Sequence, residues 1–398
     1  MTVRYISCTT SDRPYDGLTF INLDGKGTNN DIQFCYGHFE NFPIHQVYSK
    51  QWIDLLPNQD LKLILYWQQT PVFNDLSLLP STIKDRINSD PNVYLLCCDL
   101  LESVAWPERY TTGCQTENIR PEKVIVLTSN HEINNSCING IRYFSVEFWE
   151  SLTRQHFRWL DTLCDMISMD QRQIDIQSSS KKFISLNRNL KTHRIAWKYA
   201  MSTSGVQSQG HVSYHLPNFK GYESNSDHDM ILRKHCKSWL PDAEIDDIVQ
   251  HLTPMKLDDL DINHVPISYS DSILSYYRDS LVSFITESHH DSVFLTEKTF
   301  KAIIMGHPFF IIGTPEMHAR LREKGYHTFE NLFGYDKIVE YDQMSSACSK
   351  MRDCNINELR NEILQNWMPS IRHNFELFFD SQCDWNILEN KIKTQLFS

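Results

Sequence analysis

Two segments of this chain carry residue types suited to handling phosphate. One is Phe294-Leu-Thr-Glu-Lys-Thr-Phe-Lys-Ala-Ile-Ile-Met-Gly-His-Pro-Phe-Phe-Ile-Ile-Gly313, which sets Glu297 and Lys298 at the start of an apolar helix that runs into a strand. A β-like run, Leu281 to Ser288, precedes it, so the order is strand, loop, helix, strand. In such a unit a ligand sits beyond the carboxyl end of the strand, against the helix N-terminus. The other segment is Lys181-Lys-Phe-Ile-Ser-Leu-Asn-Arg-Asn-Leu-Lys-Thr-His-Arg194, a strand followed by Asn187, Arg188 and Arg194 around a helix start. From Ile176 to Tyr222 no Asp or Glu occurs, although the chain has 50 acids. Arginine grips phosphate bidentately, and the free N–H groups of a helix start add to the attraction. The plain alternatives are a solvated basic face and a helix-start acid with an exposed neighbour.

The elements that must position these residues read as two α/β series. In the first, Asp60–Tyr66, Asn92–Cys97, Lys123–Thr128 and Ile141–Phe144 have buried-strand length and composition, with spacings that leave room for crossover helices. A helical pattern from Glu147 to about Ile174 follows, and the polar stretch Gln177–Lys182 predicts a linker. The second series opens with Phe183–Leu186 and a helix from Thr192 to Met201. It then takes in the 294–313 block, a helix Glu316–Lys324 and a strand Lys337–Tyr341, before helical patterns at Ile356–Trp367 and Trp385–Lys393. The expected domains are 1–175, 181–375 and a helical tail, 376–398.

Bulk properties bound the function. A chain of 398 residues implies two domains of roughly 150 to 200 residues, and 41% hydrophobic with 22% charged residues marks a folded protein. A net charge of −12 argues against nucleic acid or an anionic membrane as partner. Eleven cysteines without a C-x-x-C indicate neither zinc nor a disulfide framework, and no apolar run nears the roughly 18 residues of a membrane span. A cytoplasmic protein with no membrane span is the expectation.

Together the two segments resemble nucleotide-sugar glycosyltransferases of the GT-B type, most closely the donor domain of α1,3-fucosyltransferase-like enzymes. The resemblance lies in Ser283-Phe-Ile-Thr-Glu287-Ser288, Thr296-Glu297-Lys298, Gly306-His-Pro308-Phe-Phe-Ile-Ile312, and Ser185-Leu-Asn187 with Arg194. It implies two Rossmann-like domains facing across a crevice, with a nucleotide-sugar, possibly GDP-fucose, as co-substrate and no other cofactor or metal. By this resemblance Glu297 binds the ribose hydroxyls, Lys298 and Arg194 neutralise the diphosphate, and Asn187, Arg188, Glu287 and Thr296 complete the donor site. The chemistry agrees: a carboxylate accepts from two vicinal hydroxyls, and fixed cations stabilise a departing diphosphate.

The acceptor, expected to be a glycan, and a general base belong in the first domain. Where the family carries an acid, this chain has Gln69 in Tyr66-Trp-Gln-Gln-Thr-Pro71, and an amide takes no proton at neutral pH. Asp99, Glu102, His131 and Glu132, all after strands, are the substitutes. Asp258-Asp-Leu-Asp261 as a metal motif and His211 with His215 as a zinc pair are weaker patterns, and His289-His290 lies beside the donor loop. The rival readings are a nucleotide-binding module that has lost transfer, and a phosphate-binding enzyme of another reaction type on the same scaffold.

Overall fold

The structure, a computed structural model, describes residues 1–8, 39–66, 75–100, 107–159, 168–187, 191–214, 233, 242–252, 271–290, 292–381 and 384–397. The chain divides into two compact α/β units. Met1–Gln155 with Ser381–Ser398 forms the first, and His156–Asp380 forms the second.

The first unit is built on seven strands: β1 (Val3–Ser7), β2 (Val47–Ser49), β3 (Leu61–Tyr66), β4 (Val93–Asp99), β5 (Val124–Thr128), β6 (Ser136–Ile138) and β7 (Ile141–Ser145), in the order β2-β1-β3-β4-β5-β7-β6. All pairings are parallel except β6 with β7. Every residue of β3 and β5 is buried, as strands covered on both faces require. The β6–β7 hairpin turns on Asn139 and Gly140, both with positive φ, as a two-residue loop demands. The C-terminal helix Trp385–Phe397 returns to this sheet: Trp385 sits edge-on against Tyr5, Phe39 and Phe42, and its Nε1 donates to the Tyr5 hydroxyl at 2.7 Å. Residues 381–398 are thus part of the first unit, where a separate tail was expected.

The second unit holds β8 (Lys181–Asn187), β9 (Gly210–Tyr214), β10 (Ser280–Thr286) and β11 (Phe309–Ile312), all parallel, in the order β11-β10-β8-β9. The helix Thr192–Ser204 crosses from β8 to β9, and the helix Glu297–Ile304 crosses from β10 to β11. Phe183 and Trp197 pack on Phe284 under the sheet, with ring centroids 5.6 and 5.0 Å away.

Two sequence readings are corrected here. Gln177–Lys182 is no linker: the helix Met169–Ser178 ends there, and β8 begins at Lys181 after two residues. Lys337–Tyr341 is no strand. Ile338 makes one isolated bridge to Gly313, and a helix starts at Tyr341, announced by a capping box of Glu340 and Gln343. The β-branched pair Ile338-Val339 hid that signal. Among the described residues no helix is long and apolar enough to cross a membrane.

Candidate functional site

Strand order locates the site. From β8 the chain moves to β9 on one flank, whereas β10 and then β11 build outward on the other. Crossovers therefore leave in opposite directions from the carboxyl ends of β8 and β10, which is the switch point where open parallel sheets of this kind leave a crevice for a ligand.

At the end of β8, Asn187 is buried and takes a hydrogen bond on its Oδ1 from the Thr286 hydroxyl, at the end of β10. Ser213 Oγ accepts from the Asn187 amide at 3.2 Å, and Ser185 Oγ accepts from Trp197 Nε1 at 3.0 Å. These bonds fix the two strand ends against each other.

The first turn of the helix Thr192–Ser204 reaches across to β10. Arg194 Nη2 donates to the carbonyls of Thr286 and Glu287 at 3.1 and 2.9 Å, and His193 Nε2 lies 2.9 Å from the Glu287 carbonyl. Both side chains are buried. Burial, with Arg194 adjacent, pushes His193 well below the usual imidazole pKa, so the ring is neutral and donates through Nε2. His290 stacks on it, with centroids 4.9 Å apart.

The second wall is the start of the helix Glu297–Ile304, N-capped by Thr296. The fully buried Glu287 carboxylate receives the Thr296 amide at 2.9 Å and the hydroxyls of Thr296 and Thr299. It thereby takes the place of an external anion at this helix start. Lys298 Nζ lies 3.0 Å from Glu297 Oε1 and 4.0 Å from Glu287 Oε2, with its side chain 26% exposed. Burial would raise the Glu297 pKa. Lys298 and Lys301, with hydrogen bonds from Lys298 and Thr296, outweigh that and hold it down to about 2, so it stays a carboxylate.

Asn187, Arg194, Glu287, Thr296, Glu297 and Lys298 are thus brought together, with Glu297 and Lys298 nearest the surface. Arg188 lies outside the described residues. His193 and Thr299 were not singled out in the sequence. Thr299 follows Thr296 by three residues, one helical turn, which was the available signal.

In the first unit, Asp99 closes β4 opposite Thr128 of β5 and is buried. His131 follows β5, with Nδ1 3.1 Å from Ser145 Oγ and Nε2 3.4 Å from Glu147 Oε2. Glu132 is exposed, and its amide donates to Asn130 Oδ1 at 2.9 Å. All three stand at the carboxyl edge of neighbouring strands. Gln69, Glu102, His215 and Asp258–Asp261 lie outside the described residues. His211 instead meets Asp279 at 2.9 Å near the amino edge of the second sheet. Among the described residues no group of three or more His, Cys, Asp or Glu could hold a metal ion.

No family model and no curated protein matches this chain. Among solved structures, one described as trehalose-6-phosphate from E. coli bound with UDP-2-fluoro glucose matches at TM-score 0.43 and 10% identity, covering 99% of this chain and 92% of that one. An alpha,alpha-trehalose-phosphate synthase (UDP-forming) from Burkholderia vietnamiensis matches at TM-score 0.40 and 11% identity, covering 87% and 77%. Likenesses this distant do not bear on the chemistry of the site.

Proposed function

We propose that this chain is a glycosyltransferase that binds a nucleotide-sugar at the β8/β10 switch point and passes the sugar to an acceptor hydroxyl. The observation that carries this reading is the convergence of a carboxylate and a lysine, Glu297 and Lys298, on the accessible side of that crevice. Glu297, ionised at any physiological pH, accepts from the two ribose hydroxyls. Lys298 exchanges its carboxylate partners for the diphosphate, while Arg194 behind the strand ends adds positive potential. As the bond from the anomeric carbon to the β-phosphate oxygen breaks, charge gathers on that oxygen and these cations stabilise it. The acceptor oxygen forms the new bond to the anomeric carbon and gives its proton to a base, for which Asp99, His131 and Glu132 are the candidates. The resemblance in Ser283–Ser288 and Thr296–Lys298 favours GDP-fucose as donor.

A thermal-shift panel of GDP, UDP, CDP, dTDP and ADP with their sugars tests this, because a ligand bound only by the folded state raises apparent stability. One nucleotide should raise the midpoint, and Lys298→Ala and Glu297→Gln should each require roughly tenfold more of it, a loss of about 1.4 kcal/mol. A panel that leaves the wild type unshifted sinks the assignment, as does a shift that both variants retain in full.

A further inference from the structure

Two histidines of the second unit face each other outside the candidate site. His373 belongs to the helix Met368–Asp380, and His327 to the turn that follows the helix Glu316–Glu323. Their rings stack with centroids 4.3 Å apart and planes 23° from parallel, and both side chains are exposed. The backbone imposes this contact. Asn374, buried beside His373, accepts from the His327 amide at 2.7 Å through Oδ1 and donates to the His327 carbonyl at 2.8 Å through Nδ2. His373 Nε2 donates to the Gly325 carbonyl at 2.8 Å, which leaves the lone pair on Nδ1, and His327 Nδ1 lies 3.0 Å from Ser370 Oγ. The turn and the helix are thus clipped together, and each is tied to the core. Phe378 of this helix packs on Phe300 of the helix Glu297–Ile304 with centroids 6.0 Å apart, and Phe329, just past the turn, packs on Phe309 of β11 at 5.4 Å.

We propose that the His327–His373 stack is an acid-sensitive latch between this turn and this helix, closed while one ring is neutral and opened when both carry a proton. An imidazolium can lie on a neutral ring, but two protonated rings set like charges 4.3 Å apart. Partial loss of hydration, and then the neighbouring His373, hold the His327 pKa below the usual imidazole value. A pKa depressed in the latched state gives a contribution to stability that is complete above the free value, about 6.5, and lost as pH falls through the latched one. Of the other charges on these elements, Glu376, one turn beyond His373, eases the first proton. Arg322 is engaged by Glu330, Arg320 by Glu323 and Arg372 by Asp170, while Lys324 lies over the Phe300 ring. Opening loosens the helix that backs Phe300, and with it the support of the helix start that carries Glu297 and Lys298. The inference does not depend on nucleotide binding in the second unit.

Hydrogen exchange on the full chain at about pH 7.5 and about pH 5, corrected for intrinsic rates, tests it. The reporter is the His327 amide, with β10 amides as the reference for global opening. The variants are His373→Gln, which keeps a donor for the Gly325 carbonyl, and His327→Gln; both sites are exposed, so both variants keep the fold. Wild-type protection of the reporter should fall about fivefold more than that of β10 on acidification, the factor that two unit charges at this spacing impose in water. The extra loss should vanish in each variant and shrink in about 1 M sodium chloride, where charges are screened within a few ångströms. Protection that tracks β10 at both pH values overturns the proposal, as does an extra loss that persists in either variant or is undiminished by salt.

Discussion

The carboxylate of Glu287 receives an amide and two hydroxyls from the helix start that follows it, and none of the residue reaches solvent. It organises the helix start, while Glu297 and Lys298 remain at the surface to meet a ligand. Glu287→Gln keeps one acceptor oxygen and sets a carboxamide NH2, a donor, against the Thr296 hydroxyl and Lys298. It should cost about 2 kcal/mol, read as a lower urea midpoint with an unchanged slope; an unmoved midpoint would contradict the capping role. At this scale the sequence was only half legible. Thr296, Glu297 and Lys298 were found at their helix start, because the signal is local. The acid-free stretch from Ile176 to Tyr222 suggested an open basic wall, and the structure gives a different account of its charges. Lys182 donates to the carbonyls of Met351 and Arg352, both at 2.9 Å, Arg194 to those of Thr286 and Glu287, and Lys198 to the Gln207 side chain. Carbonyl and amide oxygens serve these cations, and such partners are set by tertiary packing.

Among the elements, the amino edge of the second sheet is tied by one acid. Asp279, just before β10, accepts from the Ser180 amide at 2.6 Å and its hydroxyl at 2.8 Å, and lies 2.9 Å from His211 Nε2. It thereby aligns the starts of β8, β9 and β10. Burial works against its charge, but the bonds from Ser180 and His211 prevail and hold its pKa below the usual aspartate value. A depressed folded-state pKa contributes stability above the unfolded value, and that contribution disappears as pH falls through the folded one. Wild type should therefore lose stability from about pH 5 toward about pH 3 more steeply than Asp279→Asn. Urea titrations across that range measure it, and parallel curves would refute it. Also at the start of β10, the buried Arg172 donates to the carbonyls of Gly306, Ser280 and Leu281 at 2.9 to 3.0 Å. Gly306 is held at φ +63, and a Cβ there would come 2.9 Å from Arg172 Cγ. In this sheet β8, β10 and β11 were legible because buried runs of aliphatic residues announce themselves, whereas β9, with His211 and Ser213 on either side of Val212, was not. The false linker at Gln177–Lys182 arose because serines that cap and connect have the same composition as serines in a tether.

For the whole molecule, the decisive fact is that the first unit is discontinuous in sequence and the second is not. The joint is Trp385, fully buried among Tyr5, Phe39 and Phe42, with the Trp385 amide bonded to the Glu40 carbonyl at 2.8 Å. Trp385→Ala should remove about 3 to 5 kcal/mol from the first unit. Hydrogen exchange of β1 and β3 should accelerate while that of β8 and β10 stays at its wild-type rate. Equal acceleration in both sheets would show that the helix does not belong energetically to the first. The two α/β series could be read from the sequence, but this return could not, because a helix pattern at Trp385–Lys393 carries no address for its docking surface. Its consequence appears on the ribosome. Residues 1–155 emerge well before residues 381–397, so the slot between Tyr5, Phe39 and Phe42 stands empty while the uninterrupted second unit is translated. The unit begun first is completed second, and nascent chains halted near Asp380 carry an unfilled aromatic slot for chaperones to shield.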